Sequence, residues 1–350
     1  MNRLALVTCA AALLLAPRVH AGTADEAITI SGFGTAGVSC FSSRTADYAL
    51  NLQPLGPGRS RRCDHGLDSI LGIQLDAKLG STLELGIQGV TERNPNRSFK
   101  PNAMVAQLRW RPDDNWTIRL GRSPFAGFLY SESRQVRYAM PWARPPVEVY
   151  GIAPVFSTDG IEILHRRDLG NWHAELHGGL GRSHVDSAVS NTRDISHVNA
   201  RYGFINLALQ RDATQFKLGY MSGRAKADSE SFDAFLNLLR GLGADGEALA
   251  DDLNFNHKTI HFLTAGLRHE RGDWLIMGEV AIFLSESDLF RRQYGAYLTL
   301  GHNMGAWMPY ATLARRSTSG PEGDSRAGPF APQIAQLLKS QHSDETSVSL

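Results

Sequence analysis

Leu71-Gly72-Ile73-Gln74-Leu75-Asp76-Ala77-Lys78-Leu79, a turn at Gly80-Ser81, and then Leu83-Glu84-Leu85-Gly86-Ile87-Gln88 alternate apolar residues with small or polar ones. A period of two puts the two sets on opposite faces of an extended strand. The short turn makes the pair a hairpin. Outward from it the pattern repeats. Met104, Ala106, Leu108 and Trp110 alternate with Val105, Gln107, Arg109 and Arg111. After a turn at Pro112-Asp113-Asp114-Asn115, Trp116, Ile118 and Leu120 alternate with Thr117 and Arg119. Further apolar sets are Trp172, Ala174, Leu176 and Leu180; Phe216, Leu218 and Tyr220; Trp274, Ile276, Val280 and Ile282; and Ala296, Leu298 and Leu300. Fourteen strands are expected, from 27–39 through segments such as 171–182, 198–210 and 306–316 to a last one opening at 344. The registers of 198–210 and 306–316 are open from the sequence, and Phe204-Ile205, which interrupts the alternation, reads as a bulge.

Strand and connection lengths sharpen the reading. Most segments match the roughly 9–11 residues with which a tilted strand crosses the apolar part of a bilayer, and exceed the ~5–6 of soluble sheets. The connections alternate between short (80–81, 112–114, 167–170, 211–212, 271–272, 303–305) and long (40–66, 123–154, 183–197, 224–256, 317–343), with 94–101 and 286–290 intermediate. Short turns at one end and long loops at the other are the pattern of an outer-membrane barrel. Trp110, Trp116, Trp172, Trp274 and Trp307 all lie beside short turns. Indole rings favour the membrane–water boundary, so these five read as half of an aromatic girdle. The fold class expected is all-β, a transmembrane antiparallel β-barrel.

The N-terminus carries Arg3, an apolar run from Leu4 to Ala16, and Val19-His20-Ala21 with small residues at the −3 and −1 positions of a cleavage site. Residues 1–21 therefore read as a signal peptide and 22–350 as the barrel. Removing Arg3 and Arg18 takes the formal charge from +1 to −1, which speaks against a nucleic-acid partner. No later stretch is apolar for long enough to be a membrane helix. Export leaves Cys40 and Cys63, an even count that suggests a disulfide closing a polar, arginine-rich loop.

The chain as a whole resembles the Gram-negative outer-membrane porins. The residues behind the resemblance are the leader, the Gly-rich first strand Ile30-Ser31-Gly32-Phe33-Gly34-Thr35-Ala36-Gly37, the alternation of turns and loops, and a long third loop. It implies a 16-stranded barrel, a homotrimer, contact with outer-membrane lipid, passive diffusion of small hydrophilic solutes or ions, and a third loop folded into the lumen. The acidic Pro-Glu-Phe-Gly-Gly motif of enterobacterial third loops is absent; Pro124-Phe125-Ala126-Gly127 is a loose echo. Porins of this type also end in an aromatic residue. This chain ends Ser347-Val348-Ser349-Leu350, so it reads as about 14 strands of 16, short of a complete barrel.

The third loop, 123–154, is the candidate constriction. It mixes Arg134, Arg137 and Arg144 with Glu132 and Glu148 and is stiffened by Pro141, Pro145 and Pro146; charges lining a narrow pore set its selectivity. Arg109, Arg111 and Arg119 point to one side of adjacent strands, with Lys78, Arg201, Lys217 and Arg268 expected beside them. They would give a mild anion preference. Asp76, Glu84, Glu162, Glu175 and Glu279 share that interior, where they equally build a salt-bridge lattice. His173, Glu175 and His177 share a face, but strand residues four apart are separated by roughly 13 Å, too far for one zinc ion with bonds of about 2 Å. No metal and no cofactor are expected. The acidic stretch Ala244–Asn256 reads as a solvated loop, while Phe232–Leu242 and Pro332–Lys339 read as short amphipathic helices. There is no Gly-x-Ser-x-Gly and no P-loop. Two rival readings remain. An outer-membrane lipid hydrolase needs a membrane-facing Ser–His pair. A secreted saccharide-binding β-protein needs both sheet faces covered or polar.

Overall fold

The computed structural model describes residues 27–48, 56–188 and 195–350. The expected leader, 1–21, lies outside them. Fourteen strands form one antiparallel sheet in which each pairs with its neighbours in the chain: β1 (Ile28–Thr35), β4 (Ile70–Lys78), β5 (Leu83–Glu92), β6 (Asn102–Trp110), β7 (Trp116–Pro124), β8 (Ser157–Leu169), β9 (Trp172–Ala188), β10 (Ile195–Arg211), β11 (Thr214–Asp228), β12 (Lys258–Arg271), β13 (Trp274–Ser285), β14 (Arg292–His302), β15 (Tyr310–Ser319) and β16 (Ser343–Ser349). A separate two-stranded ribbon, β2 (Ser39–Cys40) and β3 (Cys63–Asp64), places Cys40 opposite Cys63, and the two are disulfide-bonded.

Burial is inverted relative to a soluble sheet. Leu71, Ile73, Leu120, Ile161, Leu180, Leu218, Leu298 and Leu313 are exposed, while Gln107, Thr117, Thr158, Glu162, Asn206, Thr264, Glu279 and Thr299 are buried. Leu180 is 67% exposed and Glu279 only 3%. Such an arrangement is stable only if the outer face meets hydrocarbon and the polar face is enclosed. No helix among the described residues is long and apolar enough to cross a membrane.

The sheet must also curl. Trp142 of the third loop donates to Thr299 of β14 and Thr312 of β15, and Arg144, two residues on, is bonded to Asp68 just before β4. In a flat sheet β4 and β14 would lie about 48 Å apart at ~4.8 Å per strand. Two residues of chain and two side chains cannot reach that far. The wall therefore wraps round the loop.

Several expectations need correction. The ladder runs unbroken through Phe204 and Ile205. Phe204 is an inward-facing apolar residue, not part of a bulge. The irregularity in the sheet lies at Gln88/Gly89, opposite β6. Most of 183–197 is strand rather than loop, because β9 and β10 run on to 17 residues each. The segment expected over 306–316 is shifted to Tyr310–Ser319. Arg201 shares the outward face of Ile205 and Leu207 and does not line the lumen.

At the long-loop end sit α2 (Glu230–Arg240), α3 (Ala244–Leu253) and α4 (Ala331–Gln341), with α1 (Val147–Tyr150) inside the third loop. The acidic stretch is thus largely helical. Its Leu249 and Leu253, four apart, share one face and pack with Ala250 against Leu236, Leu239, Ile334 and Leu338. Asp251 and Asp252 reach out to Arg240 at 3.4 Å and Arg326 at 2.7 Å.

Candidate functional site: the lumen and its inserted loop

The chain leaves β7 at Pro124 and returns at Ser157. Between them the loop is held inside the curl by polar anchors on several strands. Glu279 of β13, fully enclosed, accepts from the Leu129 amide (2.7 Å), the Tyr150 hydroxyl (2.7 Å) and the Tyr297 hydroxyl (2.9 Å). Lys217 of β11 donates to the Phe128 carbonyl at 2.6 Å. Arg119 of β7 bonds Glu132 at 2.8 Å and lies 3.7 Å from Glu162. Gln135 donates to Glu92 of β5 at 3.1 Å.

Around these anchors the loop builds a dry core. Phe125, Phe128, Met140, Trp142, Val149, Tyr150 and Ile152 pack on inner-wall residues Tyr202, Met221, Phe262, Met277, Ala281, Tyr297 and Ala314. Phe128 stacks on Tyr150 at 4.5 Å between ring centroids and meets Phe262 edge-on at 5.5 Å. At Gly295 the wall and α1 touch backbone to backbone; a Cβ there would lie 2.2 Å from the Glu148 carbonyl oxygen.

On the other side the inner wall is ionic. Arg109 of β6 bridges Asp76 and Glu84, and Arg111 reaches Glu84 at 3.2 Å. Gln88 donates to Gln74 at 2.8 Å. Arg166 bonds Glu175 at 2.8 Å, and His177 lies 3.2 Å from Glu162. Arg109, Arg111 and Arg119 therefore all face the lumen, each beside a carboxylate.

The three loop arginines have different surroundings. Arg144 is clamped by Asp68 and donates to Ser39 at 2.6 Å. Burial works against the Asp68 carboxylate, but the bonds and charge of Arg144 outweigh it and hold the pKa below the usual aspartate value. Arg134 donates to the Val155 and Tyr150 carbonyls (3.1 and 2.9 Å) and lies over the Phe156 ring at 4.3 Å. Burial pulls its pKa down to about 10, which leaves it cationic near neutral pH. Arg137 makes no ion pair among the described residues, and its Nε has no hydrogen-bond partner. Glu148 is buried on α1, and Glu132 is the exposed partner of Arg119.

Beside the loop lies a cavity of about 680 Å³, opening toward the long-loop end. Arg134, Arg137, Arg144 and Glu92 line it, with Arg316 and Glu345 across from them. Seven lysines and arginines contribute to the lining against four carboxylates, so its charge is net positive. His173 is paired with Asp168 and His177 with Glu162, separately. The three metal-capable side chains that do converge are His184, Asp186 and His197, of which the first two lie at the rim of that cavity; the cluster combines β9 with β10, so no spacing along one strand records it.

Of the five tryptophans expected in a girdle, Trp110, Trp116, Trp274 and Trp307 are exposed and Trp172 is half-buried, all at the short-turn end. The sixth, Trp142, is buried in the loop core. Sequence reading missed the apolar half of the inner wall. Its signal was present in Tyr202, Phe204, Phe262 and Met277, apolar residues on the face otherwise reserved for polar ones.

No known family profile matches the chain, and no curated protein matches it. Solved structures do. Salmonella typhi OmpF, in a complex with daunomycin, is similar with a TM-score of 0.51 at 8% identity, over 92% of this chain and 84% of that one. The outer-membrane channel DcaP of Acinetobacter baumannii gives 0.39 at 8% identity over 92% and 95%. An anion-selective porin from Comamonas acidovorans gives 0.38 at 11% identity over 83% and 90%. The likeness to OmpF is one of fold, and that fold is an antiparallel transmembrane β-barrel.

Proposed function

We propose that the chain is a porin: a passive, water-filled channel through a bacterial outer membrane for small hydrophilic solutes or ions, with a mild anion preference, working without enzymatic chemistry and assembling as a homotrimer. The observation that carries this reading is the third loop, pinned inside the curled sheet beside a charged cavity. A loop fixed by buried polar bonds is a permanent constriction, because releasing it would leave Glu279 and several donors unpaired in a dry environment. The narrowed path runs past more cations than carboxylates, which raises the local concentration of anions.

Arg137 is the first residue to test, since Arg134 and Arg144 are also structural. In a planar bilayer under a salt gradient, Arg137→Gln is expected to shift the reversal potential toward cations. Substituting Arg134, Arg137 and Arg144 together should shift it further. An unchanged reversal potential in both variants would remove the constriction from the loop.

A further inference from the structure

The outer face of β9, β10 and β11 is carried by apolar residues, glycine and Tyr220 over three successive rungs, is continued by Leu180 into a fourth that ends in Ser222, and then changes abruptly. From the short-turn end, the outward rungs are Ala174–Leu209–Phe216, Leu176–Leu207–Leu218, Gly178–Ile205–Tyr220 and Leu180–Gly203–Ser222. The next outward rung is Arg182–Arg201–Arg224, three arginines on three adjacent strands, each directly opposite the next. All three are exposed, and none makes an ion pair among the described residues. Asp159, the neighbour of Arg182 on β8, is already taken by Arg122, with bonds of 2.6 and 2.8 Å.

The position of this rung is set by geometry. Arg201 lies ten residues from Arg211, which sits over Trp172 at 5.1 Å at the short-turn boundary. Ten strand residues span about 33 Å, enough to cross the ~25 Å apolar band at a barrel's usual tilt. The arginines therefore stand where hydrocarbon ends and headgroups begin. Like charges directly opposite one another destabilise a sheet, and here two such pairs are adjacent. An anion that bridges them would turn that repulsion into attraction.

We propose that Arg182, Arg201 and Arg224 form a binding site for a phosphorylated lipid headgroup of the outer leaflet. The three guanidinium groups span about 10 Å across the strands at ~4.8 Å each, room for two phosphates. Arginine binds phosphate oxygens in a bidentate fork. The lipid's acyl chains would run down the apolar rungs below, over Leu180, Ile205 and Leu218. One outward rung higher, Lys226 and His184 flank Asn199 and are already engaged by Asp228 (2.8 Å) and Asp186 (3.0 Å), which leaves the arginine row to supply the charge. The occupant is a lipid rather than free phosphate because the arginines are continuous with an apolar surface that must be covered by chains.

The site rests on the reading of the barrel as an outer-membrane protein with its long loops outward. The test uses the full mature chain in detergent micelles, with diphosphoryl lipid A, monophosphoryl lipid A and phosphatidylcholine as probes in native mass spectrometry. Binding is expected to fall about tenfold for each phosphate removed. The variant R182Q/R201Q/R224Q should lose the preference, and R182K/R201K/R224K should keep most of it. Equal binding of the three lipids by the wild type, which needs no variant to fold, would overturn the proposal. So would an undiminished preference in the glutamine variant, or its dissociation into monomers without lipid, which would make the row a contact between copies. A chain that binds the lipids in this order yet conducts no ions would refute the channel and leave the lipid site standing. A chain that stays folded in solution without detergent would end both.

Discussion

The two sides of the lumen are built from opposite chemistry. Along β4 to β9 the inner wall is a lattice of ion pairs and amides: Gln74, Asp76, Glu84, Gln88, Arg109, Arg119 and Glu162. Along β10 to β15 it is Tyr202, Phe204, Met221, Phe262, Met277, Tyr297 and Ala314. The first kind of surface is stable against water. The second is stable only when covered, and the third loop covers it with Phe125, Phe128, Trp142 and Tyr150. Half of the lumen is therefore protein interior, and the open space lies along the other half. The loop does not merely hang into an open cylinder; it is docked on one wall as a core element and presents its arginines to the space that remains.

Glu279 gives the strongest test of that asymmetry. It is the buried acceptor for three donors that join loop and wall. Glu279→Ala leaves them unpaired and is expected to destabilise the docked loop by about 3–5 kcal/mol. Single-channel conductance should rise several-fold as the loop loosens. On the ionic wall, Glu84→Gln removes a partner of Arg109 that still has Asp76, and conductance should change little. Equal effects of the two variants would mean that the two walls are not different in kind.

A smaller effect is expected at Gly295. A methyl group there would lie 2.2 Å from the Glu148 carbonyl oxygen, so neither backbone has room to yield. Gly295→Ala should cost about 1–3 kcal/mol through overpacking, read as a lower temperature for the heat-induced shift in gel mobility of the folded barrel. Gly89 meets nothing within 4 Å, and Gly89→Ala on β5 is the matched control, expected to be close to neutral.

The same contrast explains what could be read from the chain. Strands facing lipid on one side and polar lumen on the other carry a period of two that leaves little ambiguity, and β4 to β7 were legible face by face apart from the shift at Gln88/Gly89, which the alternation does not mark. Where the lumen side is itself apolar, as in β10, the alternation fades: Phe204 beside Ile205 looks like an error in the pattern because its inward partner, the loop, is remote in sequence. Arg201 was misplaced for the same reason, since with Phe204 and Ile205 both apolar the face assignment of the strand was open. The loop was visible as a long, charged insertion, but its docking depends on Glu279, about 150 residues away from Leu129. No local spacing records such a contact. In α3, Leu249 and Leu253 did carry a helical spacing, outweighed by the acidic residues before and between them.

The smallest effect concerns the tether between the loop and the start of β4. Asp68 holds Arg144 with both carboxylate oxygens, and its pKa lies below the usual value of about 3.9. An aspartate whose folded pKa is depressed contributes stability that is fully present above its unfolded pKa and lost as pH falls through the folded one. The tether should therefore be intact down to about pH 4 and release below it. Both side chains are partly exposed, 24% for Arg144 and 18% for Asp68, so solvent screens the pair and about 1 kcal/mol is expected. Asp68→Asn should lower the melting temperature slightly at pH 7 and flatten its fall between pH 4 and pH 2. The loop core, anchored elsewhere by Glu279 and Trp142, should stay in place throughout. If Asp68→Asn instead raised conductance as far as Glu279→Ala does, the loop would be held by its tip rather than by the apolar wall, and the two-sided lumen would be the wrong description.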